Sequence, residues 1–427
     1  MINTDVNKLV DHLFRRVSSQ LVATLTRIFG SSNIDIAENV VQEAFLKACQ
    51  TWPFKGIPDN PEGWLTTVAK NAALDVIRKE KRFREKEGEL IAWYGNLQES
   101  NQKREFDGKK IPDDRLTMIF LTCHPCLTRK SQISLTLKVV GGFSVGEIAR
   151  AFLSNEEATK RLITRAKQKI RDENIRFETP SIAELSERID SVLNVLYLIF
   201  NEGYSTFEGD TLIRKDLCDE AIWFTSLFLE SDLSGHQKMP SVKALLALML
   251  IQSSRLPARM NDENELVLLA YQNRSLWDQQ RINAGLNYLE QSAEGPELTT
   301  YHLEAHIAAT HAVSSIYEDT DWQRIYHLYE KLYSLTQNPV VKLNKIVALS
   351  MISGVEAGLQ ELKEIEGESV LDGYYLLPAT FADFYDRLND RPKALEYYQK
   401  AFLMVGNTPE KRFLERRMLD CSVERSA

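Results

Sequence analysis

Residues 34–48, IDIAENVVQEAFLKA, decide the fold class of this chain. Their apolar side chains recur every three to four positions, which is the period of an α-helix that buries one face. The apolar stripe comprises Ile36, Val40, Val41, Ala44, Phe45 and Ala48. Similar spacing recurs along the chain, and glycine and proline number only 19 and 13. Alternating strand patterns are rare, so we predict an all-α protein.

The opposite face of this helix is acidic and polar, with Asp35, Glu38, Asn39, Gln42 and Glu43. Charged helix faces are usually solvated, so a surface without any partner is one interpretation. A docking surface for a basic partner is the other. This motif alone leaves both open.

The charge of the chain is unevenly distributed. The net charge is −8 over 427 residues, yet residues 1–180 contain 29 Lys and Arg against 23 Asp and Glu, a balance of +6. The remaining residues have a balance of −14. Polyanion binding is therefore expected in the first part.

Five cysteines without framework spacing, no long apolar run and no secretory features at the N-terminus favour a cytoplasmic protein without a membrane partner.

Composition divides the chain into four segments. Residues 1–84 form a first helical block, and a polar, charge-dense stretch over residues 85–112 predicts a flexible linker. Residues 113–178 form a second block, and residues 181–427 form a helical tail. The last boundary is set by Pro180, because a residue before proline is disfavoured in a helix.

A second amphipathic helix is predicted over Asn60–Arg82. Its buried stripe comprises Leu65, Val68, Ala69, Ala72 and Val76. Its end, residues 78–86, interleaves cations with an aromatic residue. Cations neutralise phosphates and aromatic faces stack on unpaired bases, so this composition suits melted DNA, although basic helix ends also occur on solvated surfaces.

Residues 144–171 match a helix-turn-helix pattern. Ser144 and Glu147 predict a capping box, a short break follows at residues 153–155, and a longer helix covers Glu156–Arg171. The predicted inner face of that helix comprises Thr159, Leu162, Ile163, Ala166 and Ile170. The predicted outer face comprises Lys160, Arg161, Thr164, Arg165 and Gln168, with Lys167, Lys169 and Arg171 beside it. Such a helix enters the major groove, where arginine and lysine read guanine edges.

Three motifs, in this order, resemble the extracytoplasmic-function (ECF) group of sigma-70 family factors. They are AENVVQEAFLKA, WLTTVAKNAALDVIRKEKR, and a terminal helix-turn-helix with GEIARAFL and RAKQKIR. The resemblance covers about residues 5–177. It implies a subunit that directs core RNA polymerase to promoter DNA and that has no catalytic residues and no cofactor.

The resemblance also implies roles for individual residues. The first helix is similar to region 2.2, which binds core polymerase; the implied contacts are Asp35, Glu38, Gln42 and Glu43. The second is similar to regions 2.3 and 2.4, which melt and read the minus-10 element beside a base-capturing loop at residues 52–59; the implied residues are Trp64, Lys70, Asn71, Arg78 and Lys79. Residues 144–171 are similar to region 4, which reads the minus-35 element; the implied residues are Asn155, Lys160, Arg161, Thr164, Arg165 and Lys167.

The tail resembles the C-terminal extension of one ECF subgroup through VLYLIFNEGYS (195–205), LLALMLIQSSRLPAR (245–259) and YQNRSLWD (271–278). That resemblance implies a helical extension that regulates or assists the sigma module, with a small DGPF/YCII-type protein or a peptide as a partner. The segment PKALEYYQKAF (392–402) matches half of a tetratricopeptide repeat. Helices are predicted over residues 321–336, 339–353, 372–388 and 391–405.

Polar residues are set among the apolar helices of the tail. They comprise Asn201, Glu202, Tyr204, Arg255, Arg259, Asn273, Arg274, Trp277 and Asp278. They either line a groove for a peptide or small ligand, or form buried hydrogen bonds between helices. A protein-interaction scaffold or ligand sensor is therefore the alternative function.

Two motifs raise the question of a metal site. Cys123-His124-Pro125-Cys126 has the spacing of a zinc ligand pair, and His302 and His306 are one helical turn apart. No second ligand pair accompanies either motif in the sequence. We interpret the first as a helix-breaking core element and the second as packed or surface histidines, and we predict no metal.

Overall fold

The computed structural model describes residues 17–79, 85–102, 114–151, 155–205, 208–209, 212–231, 236–295, 297–366, 371 and 373–422. The chain divides into two compact units. The first unit comprises residues 1–198 and 230–232, and the second comprises residues 199–229 and 233–427. The division falls inside one helix, downstream of the boundary that Pro180 predicts.

The first unit contains helices α1 to α8 and the first part of α9. α1 covers residues 17–29. The others are α2 (Ile34–Lys55), α3 (Pro61–Lys79), α4 (Glu87–Gln102), α5 (Asp114–Thr122), α6 (Arg129–Val139), α7 (Val145–Ala151), α8 (Glu156–Asp172) and α9 (Ile182–Tyr204). A 3-10 turn, Ser31–Asn33, joins α1 to α2.

α2 buries the face that its sequence predicts and is longer than predicted. Most of the predicted stripe is buried, and Ile36 is half-buried. The helix continues to Lys55, so residues 52–55, predicted as part of a loop, form its last turn. The ring of Trp52 is buried and packs edge-on against Trp64 with ring centroids 5.4 Å apart, which stabilises this turn despite Pro53.

α3 packs against α2 and is rotated slightly from the predicted orientation. Leu65, Ala69 and Ala72 are buried as predicted, while Val68 and Val76 are half-buried. Ala73 and Ile77 are fully buried instead. Helical periodicity in the sequence does not predict this rotation, because packing against α2 determines which side of α3 is buried.

α4 corrects the prediction of a flexible linker over residues 85–112. Residues 87–102 are helical, and Leu90 is completely buried. The hydroxyl of Tyr94 lies 3.1 Å from Thr67 Oγ1, so α4 rests on α3. The charge-dense composition of this stretch obscured the apolar group around Leu90. Residues 103–112 lie outside the described residues.

The Cys-His-Pro-Cys segment connects α5 to α6 as part of the core. Gln132 Nε2 donates to the carbonyls of Cys123 and His124, at 2.9 and 3.0 Å. Arg188 of α9 donates to the carbonyl of Phe120, and Ser191 Oγ donates to that of Cys123 at 3.2 Å. These bonds satisfy carbonyls where the helix is interrupted. Burial raises the pKa of the Cys123 thiol to about 11.

The second unit continues with ten helices of the described chain. They are α10 (Lys215–Leu229), α11 (Met239–Ser253), α12 (Gln279–Ser292), α13 (Thr300–Val313), α14 (Trp322–Thr336), α15 (Pro339–Ser353), α16 (Val355–Glu364), α17 (Leu376–Arg387), α18 (Arg391–Met404) and α19 (Thr408–Ser422). Three 3-10 turns cover Leu256–Ala258, Leu269–Tyr271 and Arg274–Leu276. Two-residue strands β1 (Glu208–Gly209) and β2 (Gly406–Asn407) pair in parallel.

Successive helices of this unit pack in pairs, including α11 with α12, α14 with α15, and α17 with α18. The four helices predicted over residues 321–405 are present within a few residues of their predicted ends. α16 was not predicted separately. The C-terminal core contains Phe381, Phe384 and Tyr398, with Leu414 of α19. Among the described residues, no helix is long and apolar enough to cross a membrane.

Candidate functional site

α8 presents a cationic face above an apolar one. Asn155 begins the helix, because its Oδ1 accepts a hydrogen bond of 2.7 Å from the backbone N–H of Ala158. Thr159, Ile163, Ala166 and Ile170 are buried, and Leu162 is half-buried. Exposed side chains occupy the other face: Lys160, Arg161, Thr164, Arg165 and Gln168. The predicted division into inner and outer faces is confirmed.

The helix before α8 has the predicted capping box. The backbone N–H of Ser144 donates to Glu147 Oε2 at 2.8 Å, and the N–H of Glu147 donates to Ser144 Oγ at 3.1 Å. Of the predicted break at residues 153–155, residues 153 and 154 lie outside the described residues. The two described helices pack against each other, with α8 also against α6.

The exposed cations of α8 make local contacts. Arg161 pairs with Glu157, one turn earlier, with 3.6 Å between Nε and Oε1. The hydroxyl of Thr164 donates to the carbonyl of Lys160 at 2.9 Å. Exposed pairs of this kind contribute well under about 1 kcal/mol, so a stronger anionic ligand can displace them.

Lys167 departs from the other cations, because it contacts the acidic face of α2. Its Nζ lies 2.7 Å from Asp35 Oδ1 and also donates to Glu38 Oε2. Arg171 follows one turn later, with Nη2 at 3.4 Å from Asp35 Oδ2 and Nε at 3.2 Å from the carbonyl of Ser32. The predicted polymerase-binding and minus-35-binding residues therefore contact each other.

Burial distinguishes this ion pair from an ordinary surface pair. The side chains of Lys167 and Glu38 are only 12% and 9% exposed. Burial alone lowers the pKa of Lys167, but the charges and hydrogen bonds of Glu38 and Asp35 outweigh it and raise the pKa above its usual value. Lys167 therefore stays charged at neutral pH.

The other two predicted polymerase contacts differ in their surroundings. Gln42 is exposed and, with Glu38, lines a small cleft beside Lys138 and Gly142. Glu43 is exposed and pairs with Lys47 at 2.9 Å on the same helix.

α3 carries the residues predicted to contact the minus-10 element. Trp64 is half-buried against Trp52, and the ammonium of Lys70 lies 3.9 Å from the centroid of the Tyr94 ring. Asn71, Arg78 and Lys79 are exposed. Arg78 makes a long contact with Asp75, at 4.0 Å. Residues 80–84, which include Lys81, Arg82 and Arg84, lie outside the described residues.

Phe54 lies in the segment 52–59 that the resemblance implies to be a base-capturing loop, although it is not among the implied minus-10 residues. Its side chain is 88% exposed at the end of α2, two residues before Gly56, whose φ of 83° ends the helix. Exposed aromatic rings beside cations are the groups on which unpaired bases stack in proteins that bind single-stranded nucleic acid. Because residues 52–55 were predicted as a loop, the position of Phe54 on the last turn of α2 was not predicted.

The polar residues of the tail mostly hydrogen-bond to backbone and neighbouring side chains. Arg255 Nε donates to the hydroxyl of Tyr204 at 2.6 Å, and Arg259 donates to the carbonyl of Tyr204. Arg274 Nη1 donates to the carbonyls of His311 and Ser314, both at 2.6 Å. Asn273 and Asp278 cap helical turns, and Asn201 and Glu202 are half-buried in α9. This pattern favours the hydrogen-bonding interpretation over a wide open groove.

Unpaired polar atoms nevertheless concentrate near Arg274. Of ten buried side-chain polar atoms without a hydrogen-bond partner in the described chain, six fall between residues 272 and 322. They are Gln272 Oε1, Arg274 Nη2, Trp277 Nε1, His311 Nδ1, Thr320 Oγ1 and Trp322 Nε1. Two clefts of about 350 and 370 Å³ share Arg274 and Ser275 among their lining residues. Buried donors and acceptors of this kind are satisfied by water or by a bound molecule.

The two histidines for which a metal site was considered, His302 and His306, are at least half-buried in the protein. The side chain of His302 accepts from the N–H of Thr299 at 3.1 Å in a capping box and lies 3.2 Å from the carbonyl of Ser292. Burial lowers the pKa of His306. Within the described residues, no three histidine, cysteine or acidic side chains are grouped to hold a metal ion.

Comparison with known proteins gives the family. Residues 13–83 match sigma-70 region 2, and residues 188–293 match a family of unknown function, DUF6596. The chain belongs to the sigma-70 family. This sigma-70 protein is 35% identical over 399 residues to "Uncharacterized protein R00370" of Rhizobium meliloti (strain 1021), covering 93% of this chain and 92% of the relative. No solved structure matches it.

Membership gives the sigma-70 protein a sigma-factor-like role in transcription initiation. Region 2 implies that it binds core RNA polymerase and promoter DNA. The sigma-70 family consists of non-enzymatic transcription factors. The matched region contains α1, α2 and α3 as far as they are described, which are the elements that carry the acidic face, Phe54 and the predicted minus-10 residues.

Proposed function

We propose that this chain is an ECF-type sigma factor that directs core polymerase to specific promoters from the cytoplasm. In this proposal residues 1–84 bind polymerase and the minus-10 element, and residues 113–178 form a helix-turn-helix that reads the minus-35 element. Residues 181–427 form a tetratricopeptide-like extension that regulates or assists initiation. The partner proposed for this extension, a DGPF/YCII-type protein or a peptide, is supported by resemblance alone.

The exposed face of α8 carries this proposal. Lys160, Arg161 and Arg165 project from a helix whose opposite face is buried, so the helix can lie in a groove without unfolding. Arginine fits guanine O6 and N7 with two parallel hydrogen bonds, and lysine neutralises phosphate. Nothing in the described first unit covers these three side chains.

The minus-10 assignment is supported by the surface around α3. Asn71, Arg78 and Lys79 are exposed on the helix, and Phe54 lies at the end of the neighbouring one. Cationic groups hold the backbone of a single strand while an aromatic face stacks on its bases. Unstacking costs a few kcal/mol per step, so binding to promoter DNA should be weak until polymerase supplies the rest of the interface.

Run-off transcription with purified components tests this function. Core polymerase with the full chain should yield discrete transcripts from promoters of the chain's own regulon, while the chain alone should shift promoter DNA only weakly. If core polymerase neither binds the chain nor changes its start sites in its presence, the proposed function is wrong.

A ligand-sensing role for the second unit is a second candidate, favoured by the unpaired atoms around Arg274. Among the described residues, none of Arg255, Arg259 and Arg274 forms an ion pair. Arg274 Nη2 and Trp277 Nε1 are both unsatisfied donors, so the chemistry suits a small organic oxyanion.

Thermal unfolding of the full chain tests the ligand site. Citrate or inorganic phosphate, compared with chloride at equal ionic strength, should raise the midpoint by about 2–4 °C per kcal/mol of binding. Arg274→Gln should abolish the rise, whereas Arg412→Gln, at an exposed position of α19, should not. An equal rise in both variants would contradict the site.

A further inference from the structure

Two surfaces to which the proposed function gives separate partners are held together in the first unit. Lys167 and Arg171 of α8 contact Asp35 of α2, and Lys167 also contacts Glu38. Ser31 Oγ, just before α2, donates to the carbonyl of Ile175, just after α8. The contact thus extends from the start of α2 to the end of α8.

A second polar link joins the same two parts of the unit elsewhere. Asp114 of α5 accepts hydrogen bonds from Thr24 Oγ1 at 2.8 Å and from Arg27 Nε at 3.0 Å, both on α1. Asp114 is only 8% exposed. The contact between the α1–α2 part and the α5–α8 part therefore does not depend on Lys167 alone.

We propose that the acidic face of α2 binds α8 in the free chain and core polymerase in turn, so that the two contacts exclude each other. This inference rests on the proposed function. Glu38 faces Lys167 and is 7% exposed, so a polymerase surface can reach its carboxylate only after α8 leaves. Free α2 would offer two adjacent carboxylates, Asp35 and Glu38, which fit a basic polymerase surface.

Promoter geometry supplies an independent reason for opening. Elements at minus 10 and minus 35 are about 25 base pairs apart, which is roughly 85 Å at 3.4 Å per pair. α8 has 17 residues and so spans only about 26 Å at 1.5 Å per residue. With Lys167 against Asp35, α8 and the α2–α3 hairpin cannot reach both elements. Promoter binding at both elements therefore requires this contact to break.

Zero-length cross-linking of the full chain detects the closed contact directly. A carbodiimide joins an amine to a carboxylate only when they touch, so it should link Lys167 to Asp35 or Glu38, and mass spectrometry identifies the joined peptides. Saturating core polymerase should suppress this link. Lys167→Arg is the matched control because it keeps the cation but forms no amide. Absence of the link in the free chain, or an unchanged yield with polymerase bound, would overturn the proposal.

Polymerase affinity, measured without DNA, separates this inference from the proposed function. If about 90% of the free chain is closed, removing Lys167 and Arg171 by Lys167→Ala with Arg171→Ala should tighten polymerase binding about tenfold. Lys169→Ala should have no effect, because Lys169 pairs with Glu173 on its own helix. Equal affinities of wild type, the double variant and Lys169→Ala would contradict the proposed competition between α8 and polymerase, and would leave the proposed sigma function unaffected. If none of them binds polymerase, the proposed function itself fails and the competition with it, even where the cross-link forms.

Discussion

Lys167 Nζ lies 2.7 Å from Asp35 Oδ1 although 132 positions separate them in the chain. Both residues belong to surfaces that the sequence assigns to different macromolecules, one to DNA and one to polymerase. In the competition proposed above, this contact withholds the acidic face of α2 from polymerase while the chain is free. The consequence is that mutations far from either surface can change polymerase binding by altering the closed contact.

Asp114→Asn should weaken the closed contact without touching either predicted binding surface. The change removes the charge that pairs with Arg27 and leaves an acceptor for Thr24. Because a half-buried ion pair is lost, we expect polymerase binding to tighten by about three- to tenfold. Asp75→Asn, which removes an exposed carboxylate 4.0 Å from Arg78, is the control for a lost negative charge. Weaker or unchanged binding of the Asp114 variant, with its fold intact by circular dichroism, would count against opening.

Arg161→Ala and Arg165→Ala should each weaken minus-35 recognition by about 1–3 kcal/mol, the value for a bidentate contact with guanine. Both side chains are exposed on α8, so their loss should leave the unfolding free energy nearly unchanged. Reporter activity from a cognate promoter measures the effect, with Lys169→Ala as the control on the same helix. Activity equal to wild type in both variants would show that this face does not read DNA.

Phe54→Ala should impair promoter melting by about 1–3 kcal/mol, the value for stacking on one base. The ring is 88% exposed, so the substitution removes a stacking surface and little packing. Fluorescence of 2-aminopurine in the minus-10 element reports melting, and Leu46→Ala, at another exposed apolar position of α2, is the control. A melting defect of the same size in both variants would argue for a general effect of α2.

The second unit should lose stability in mild acid through His311. Burial, with Arg255 and Arg274, lowers the pKa of His311 to about 3 from an ordinary 6.5. Between pH 6.5 and about pH 3, His311 is therefore protonated in the unfolded chain and neutral in the folded chain. This costs about 1 kcal/mol of stability between pH 6.5 and 5.5. Urea unfolding of wild type and His311→Gln should show this difference in pH dependence; identical pH profiles would exclude a role for His311.

The sequence was sufficient for the features that depend on helical periodicity. The buried face of α2, the capping box at the start of α7 and the division of α8 into two faces all follow from local spacing. The pairing of Lys167 with Glu38 could not be predicted in this way, because 129 positions separate the two residues. Periodicity places Lys167 at the edge of the outer face, and only the packing of α8 beside α2 turns that edge inward.

The predicted boundaries of helices and segments were wrong where a long-range contact determines them. α4 forms where composition predicted a linker, because Leu90 and Tyr94 find partners on or near α3. α9 begins at the predicted tail boundary, yet its first part belongs to the first unit and holds the carbonyls of Phe120 and Cys123. A truncation meant to isolate the sigma module should therefore end after Ser205 and not at residue 180.

Genome-wide mapping of transcript 5′ ends tests the sigma assignment most directly. Cells that overexpress the full chain should gain new start sites preceded by two shared sequence elements at a constant spacing. Those start sites should disappear with a chain carrying Arg161→Ala and Arg165→Ala. An unchanged set of start sites with the full chain, despite normal protein levels, would contradict the claim that this protein selects promoters for RNA polymerase.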